Sequence, residues 1–535
     1  MIAELTLSGS YRDAAYQVKS LMRVSRRQTF RFDRFFARCH AVRSDRKVTH
    51  VVVHVKRDFT AASVAALEEI RGELASLVSA GKQLVFYATE YHDEHLYLAS
   101  VCTRRILHPL GSLRCRGLAR TNLFFKRLGD KLGANVQVVR RGAYKSAMDR
   151  FRLDEIDPAN LEQYSRWLEV GAAAMHDATC AGYRKPREEL DELLAGRLLS
   201  SSEALEAGWV DRTVPLDALR AEWREEKHKT RTVKARDRVG RGKRIAVLFF
   251  EGSIVEGTSS YNAALGQMIG SESFVREVDA LRRNNRVKAV VLRVNSGGGS
   301  AVASEDIRTA LVRLAEKKPL VVSMSEVAGS GGYWIAMSGA TVFALRTTLT
   351  GSIGVINLAL DVGDALAKRG ITHSTIRTHA HADAGGVFRK LDRHELEQLD
   401  RQVDAIYERF LALVGEYRSM SRGDVDERAQ GRVWAGLDAE AQRLVDRLGG
   451  LSDAIAEARA QAGLSRARIV FRPRVKHTLV ERMIYARSGA AGLAGALLGG
   501  VRTLDRIAGR PLLLEPITLF DHRTLDALNA DLEIE

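Results

Sequence analysis

The chain has 535 residues, 45% of them apolar and 28% charged, with a formal net charge of +16. That length predicts two or more domains, each able to bury a core, and the composition is ordinary for a soluble globular protein. Its four cysteines (Cys39, Cys102, Cys115 and Cys180) form no CxxC pair and no His/Cys metal spacing, which excludes a disulfide frame. They read as buried thiols in a reducing compartment, and no metal or other cofactor is expected.

The positive charge fits an anionic membrane surface, nucleic acid or an arginine-rich proteome. No nucleic-acid motif or aromatic-and-basic ladder supports the second, so the partner expected of the charge is a peripheral membrane contact. The start, MIAELTLSGSYRD, lacks the apolar stretch of a signal peptide. The longest apolar run, Ala490–Val501, falls short of the roughly 20 residues a spanning helix needs. The expected location is the cytoplasm or the inner face of the membrane.

In chain order, Ile2–Ser10 opens as a strand, and Arg23–His40 interleaves arginines with phenylalanines. The latter suits a helix lying on a membrane or one packing its rings on the body. Val51–Val55, a helix through Ala65–Leu77 and Leu84–Tyr87 make a β-α-β alternation. Lys227–Lys243, KHKTRTVKARDRVGRGK, is nearly free of large apolar residues and reads as a solvated linker. Beyond it, Ala289–Val294, Ser304–Ala315 and Leu320–Met324 repeat the alternation, which argues for parallel sheets with crossover helices. Leu396, Leu399, Val403, Ile406, Phe410 and Leu413 form a helical stripe expected to be a core or subunit-packing face.

The chain shows itself twice. IAELTLSGS at Ile2 resembles IAVLFFEGS at Ile245, and LVFYATE at Leu84 resembles LVVSMSE at Leu320, an offset of 236. LEQY at Leu161 resembles LEQL at Leu396, and AGRLLSSSEALEAGWVD at Ala195 resembles QGRVWAGLDAEAQRLVD at Gln430, both offset by 235. Four matches in one order mark a duplicated domain. The expected division is a first repeat over 1–226, the linker over 227–243, a second repeat over 244–465 and a C-terminal extension over 466–535.

The second copy holds a glycine-flanked serine, Ser330, in VAGSGGYW, between an apolar run and an apolar helical pattern. Such a turn sets one side chain at a helix N-terminus, where backbone N–H groups favour developing negative charge. It is reminiscent of a nucleophile elbow without the GxSxG spelling. On its own, a serine among glycines is more often a plain turn. The 236 offset places Glu94 at the equivalent position of the first copy, so that copy has no such serine. Conversely Lys145, in AYKSAM, corresponds to His381 in the second copy. Two repeats that meet would combine their surviving halves into a serine–lysine dyad. Lysine can act as base when burial brings its pKa down from about 10.4 toward neutrality. The run Gly297–Gly298–Gly299, after Ala289–Val294, is a candidate oxyanion hole, with the N–H of Gly331 contributing. No GKS or GKT follows it, so it matches a phosphate cradle poorly.

Together NSGGGSAVASEDIR, VAGSGGYWIA, LTGSIGVI and GAYKSAMDRF resemble the signal peptide peptidase A family of serine proteases, in its long duplicated form, over nearly the whole chain. The resemblance implies an α/β fold of two tandem ClpP/crotonase-like βα spiral domains with helical extensions. It implies Ser330 as nucleophile, Lys145 as general base, and a tetramer that hydrolyses released signal peptides and other small hydrophobic peptides. The site residues expected are thus Ser330 and Lys145, with Gly298, Gly299 and Gly331 as oxyanion donors. The family usually has NSPGG where this chain has Asn295-Ser296-Gly297-Gly298-Gly299. Two other readings use the same fold: a crotonase-like acyl-CoA enzyme, which CoA-thioester binding would reveal, and a non-catalytic peptide-binding scaffold, which would be inert to serine-directed phosphonates.

Overall fold

The computed structural model describes residues 1–14, 29–226, 228–233, 235, 238–262, 266–339, 341–473 and 512–513. The apolar run Ala490–Val501 and residues 23–28 of the arginine–phenylalanine stretch lie outside the described residues. From Thr29 onward, that stretch packs on the body. Phe30 is buried, as are Phe32, Phe35 and Phe36 at the start of the helix Phe32–Ser44.

Each copy builds a parallel sheet in the same strand order. In the first, the order is Arg212–Thr213, Arg104–Leu107, Gln83–Ala88, His50–Val55, Ile2–Leu7 and Thr230–Thr232. In the second, it is Arg447–Leu448, Thr341–Ala344, Leu320–Gly329, Val287–Ser296, Lys243–Glu251 and Ala467–Arg472. Two 26-residue helices, Pro158–Tyr183 and Arg393–Arg418, start 235 residues apart, which is the offset read from the sequence. Each helix has a capping aspartate (Asp157, Asp392) accepting from the backbone N–H three residues on. The predicted stripe is a core face: Leu399, Val403, Phe410 and Leu413 are all buried.

The window expected to be a solvated linker is instead partly sheet. Thr230–Thr232 is the sixth strand of the first sheet, and Arg238–Gly240 pairs antiparallel with Ala467–Arg472. Val233 and Val239 are buried. Val239 is the one apolar residue inside these two short strands and Val233 lies just past the first, so no alternation can be read among the charges. Likewise Ala467–Arg472, assigned to the C-terminal extension, completes the second sheet.

Nor do the copies keep separate cores. Along Lys243–Glu251, Ala246, Leu248 and Phe250 face a core of the second copy, while Ile245, Val247 and Phe249 face a core shared with Phe36 and Ile70 of the first. Alternate side chains of one strand thus serve two cores, as the period of two requires. Within the shared layer, the Arg293 guanidinium is fully buried and donates to Glu69 (2.7 Å) and Asp13 (3.3 Å) of the first copy. It also donates to Ser323 and Ser325 of the second copy.

Nearby, Glu73 on the helix Val64–Ser79 is buried against the Ser452 hydroxyl, and burial pushes its carboxyl up from 4.5 to about 7. A raised folded-state pKa means that the protonated form favours the fold. The stability that this carboxyl contributes should be fully present below about pH 4.5 and be lost as the pH rises through about 7, by up to about 3 kcal/mol. Urea denaturation of Glu73→Gln across that window should lose this slope; an unchanged slope would exclude Glu73 as its source.

Candidate active site

Ser330 lies where the strand Leu320–Gly329 turns into the short helix Gly331–Ala336. Its backbone has φ 53 and ψ −116, a left-handed conformation that costs a non-glycine residue of order 1–3 kcal/mol. The conformation is held from both sides: Ser330 N–H donates to Gly351 O (2.8 Å), and Ser330 O accepts from Trp334 N–H (2.8 Å). The glycines after it are required by packing. A Cβ on Gly332 would stand 2.5 Å from Ser296 O, and one on Gly331 would stand 2.7 Å from Ser304 Oγ and 3.2 Å from Gly298 Cα. The serine turn and the triple-glycine loop therefore touch, as the sequence expectation required.

Lys145 arrives from the other copy. The strand Asn135–Arg141 pairs antiparallel with Val355–Asp361 of the second copy, from Val355↔Arg141 to Asp361↔Asn135. Gly142 then turns the chain with φ 104. Tyr144 N–H donates to Gln430 O (2.8 Å), and Arg140 Nη1 donates to Lys145 O (2.9 Å). Gly431 closes the seat, since a Cβ there would lie 2.6 Å from Lys145 Cβ. Lys145 is 1% exposed and Ser330 is fully buried.

Lys145 Nζ lies 2.7 Å from Ser330 Oγ, 2.8 Å from Ser352 Oγ and 2.9 Å from Ser352 O. Ser352 is the participant that reading the residues did not single out. It sits in LTGSIG, quoted above only for its resemblance, and like Ser330 it has a positive φ, 52. A serine inside a glycine turn following a strand was the available signal. Ser352→Ala should lower kcat on a peptide substrate about tenfold, with KM little changed, by releasing one of the groups that aim Nζ. Steady-state kinetics would show it, and an unaltered kcat would remove Ser352 from the positioning set.

The glycine loop is likewise held. Gly298 and Gly299 both have positive φ (106 and 155), and a Cβ on Gly299 would collide with Ile254 O at 2.1 Å. Gly298 N–H donates to Ser296 Oγ at 3.2 Å, and Ser296 Oγ in turn donates to Gly252 O at 2.6 Å. His381, the residue the repeat offset pairs with Lys145, has partners of its own, Glu395 (3.0 Å) and Asp392 (3.3 Å). Among the described residues this trio is close enough to hold a cation. However, Arg389 already donates to both Glu395 oxygens, at 2.8 and 2.6 Å, and supplies the positive charge there.

A duplicated α/β chain that brings a strained serine turn from one copy against a lysine from the other has the parts expected of a serine peptidase. Comparison with known proteins agrees. The chain belongs to peptidase family S49, whose family model matches residues 76–230 and 312–465, once in each copy. It is 32% identical over 451 residues to "Protease 4" of Salmonella typhi, covering 79% of this chain and 70% of that protein. It is 30% identical over 503 residues to "Serine protease SPPA, chloroplastic" of Arabidopsis thaliana, covering 88% and 71%. Among solved structures, ClpP1 from Listeria monocytogenes matches 39% of this chain and 92% of its own, at 14% identity and a TM-score of 0.25. Among the described residues no helix is long and apolar enough to cross a membrane.

Proposed function

We propose that the chain is a serine endopeptidase in which Ser330 is the nucleophile and Lys145 the general base, acting on small or hydrophobic peptides such as cleaved signal peptides. The observation that carries this reading is the buried 2.7 Å contact between Lys145 Nζ and Ser330 Oγ. A neutral amine has two N–H bonds and one lone pair. With the N–H bonds given to Ser352 O and Oγ, the lone pair faces the Ser330 hydroxyl proton. Ser330 Oγ then attacks the scissile carbonyl carbon while Nζ takes the proton. The tetrahedral intermediate collapses as Lys145 returns that proton to the leaving amine, and water activated by Lys145 hydrolyses the acyl-enzyme.

The developing oxyanion would sit between the glycine loop and the start of the short helix, with Gly298, Gly299 and Gly331 as candidate donors. The long Gly298 N–H bond to Ser296 Oγ is one that a charged acceptor replaces favourably. By the family resemblance the protein works as a homotetramer, and by its net charge of +16 it meets an anionic membrane peripherally; sedimentation and vesicle binding address these two points.

The test is a fluorophosphonate probe followed by peptide mapping. The expected adduct is on Ser330, absent from Ser330→Ala and strongly slowed in Lys145→Ala. A well-folded protein that takes no label, or takes it on another serine, would refute the assignment.

A further inference from the structure

The motif LEQY at Leu161 returns as LEQL at Leu396, and its glutamine has a different place in each copy. Gln398 of the second copy is exposed, with its amide 3.4 Å from His394 on the same helix. Gln163 of the first copy is 2% exposed and lies where the copies meet. Its Oε1 accepts from the Val433 N–H of the second copy (2.8 Å). That bond leaves Nε2 to donate, and it donates to Tyr144 O (3.2 Å) and Asn160 Oδ1 (2.6 Å). Each end of this bracket borders the reacting pair. Tyr144 O belongs to the peptide group that joins Tyr144 to Lys145. Val433 pairs with Gly351, whose carbonyl accepts the Ser330 N–H and whose next residue is Ser352. The other side of Lys145 is tied to the same helix. Arg140 donates to Lys145 O (2.9 Å) and to Asp149 (3.2 Å), and Asn160 donates to Asp149 (3.3 Å). Beside Gln163, Glu162 accepts from the Tyr144 hydroxyl (3.0 Å) and pairs with Arg432 (2.7 Å), so the start of Pro158–Tyr183 grips both segments twice.

We propose that Gln163 is a positioning residue for the hydrolysis: its amide fixes the Lys145 backbone against the strand Val433–Ala435 and so aims Nζ at Ser330 Oγ. The proposal rests on the reading of Ser330 and Lys145 given above. Lysine carries its amine on a flexible four-carbon stem, so the amine is aimed only when the backbone at its root is held. Lys145 lies between the strand Asn135–Arg141 and the short helix Asp149–Arg152, outside any sheet ladder, and side chains from elsewhere supply that hold. Gln163 touches neither reacting atom. It acts by joining the two copies at the point where the serine–lysine pair spans them.

The experiment measures peptide hydrolysis and fluorophosphonate labelling of Ser330 in the full chain, in Gln163→Met, in Lys145→Ala and in the double variant. Methionine keeps the length of the side chain and makes none of the bracket's bonds. Gln163→Met is expected to lower kcat and the labelling rate about 10- to 100-fold, the cost of a misaimed base, with KM within about twofold. In the Lys145→Ala background the same change is expected to slow labelling no further, because Gln163 acts through the lysine. Gln398→Met, at the matching helix position of the other copy, is expected to retain the parent's kcat. Gln163→Glu keeps the acceptor for the Val433 N–H and loses the donors. It is the second variant, decisive where Gln163→Met does not fold, and the same fall in kcat is expected of it. An unchanged kcat in a folded Gln163 variant, a rise in KM alone, or an equal slowing with and without Lys145 would overturn the positioning role. Failure of both variants to fold would overturn it too, assigning Gln163 to stability. Full activity of Lys145→Ala would instead refute the base assignment itself, whatever the glutamine variants do.

Discussion

Lys145→Ala is expected to lower kcat for peptide hydrolysis by about 10³- to 10⁴-fold, the cost of losing a general base from a serine nucleophile. Ser330→Ala should cost as much, and the double variant no more than either single one, because the two residues act as a unit. Truncation at a buried position also removes packing and leaves the Ser352 oxygens without Nζ. Lys145→Met, which keeps most of the side-chain volume, should therefore be as inactive as Lys145→Ala while melting closer to the parent protein. Activity of Lys145→Met within tenfold of the parent would show that the base lies elsewhere.

The largest expected effect on stability comes from Arg293→Met, about 3–5 kcal/mol, because Glu69 and Asp13 would remain buried without their cation. Glu69 keeps one partner, the Leu451 N–H (2.6 Å), whereas among the described residues Asp13 Oδ2 already has no hydrogen-bond partner. Arginine stays charged at any usable pH, so this term is not relieved by titrating the cation. Adding Glu69→Gln and Asp13→Asn to Arg293→Met should recover most of the loss, since the penalty lies in the unpaired charges and not in missing volume. Urea unfolding of the single and triple variants decides the point: a triple variant no more stable than Arg293→Met would assign the loss to packing.

The sequence disclosed the duplication, the parallel alternation and the residues that meet at the site, and the reasons are local. Ser330 stands among glycines that a strained turn requires, and the 236-residue offset shows that the first copy lacks it. Lys145 was found by the complementary loss, although the structure gives its supposed counterpart, His381, partners in a separate ion-pair cluster. What stayed hidden is non-local. The pairing of Asn135–Arg141 with Val355–Asp361 seats the lysine, yet every residue of the first strand is only half-buried, so no alternation marks it. Gly431 looks like any turn glycine until Lys145 is placed against it. Ser352 needed the same knowledge. The short strands Thr230–Thr232 and Arg238–Gly240 were masked by their charges.

The seating of Lys145 against Gly431 also bears on when the peptidase becomes competent. A ribosome releases the chain N-terminus first, at roughly 5–20 residues per second. Lys145 therefore emerges long before Ser330 exists and longer still before Gly431 and the backbone around it can hold it in place. A nascent chain interrupted anywhere short of that point carries a lysine without its serine, or both without their seat. On the roles proposed for Ser330 and Lys145, hydrolysis then needs a chain made at least as far as Gly431, and shorter nascent chains pose no proteolytic hazard to the proteins being made beside them.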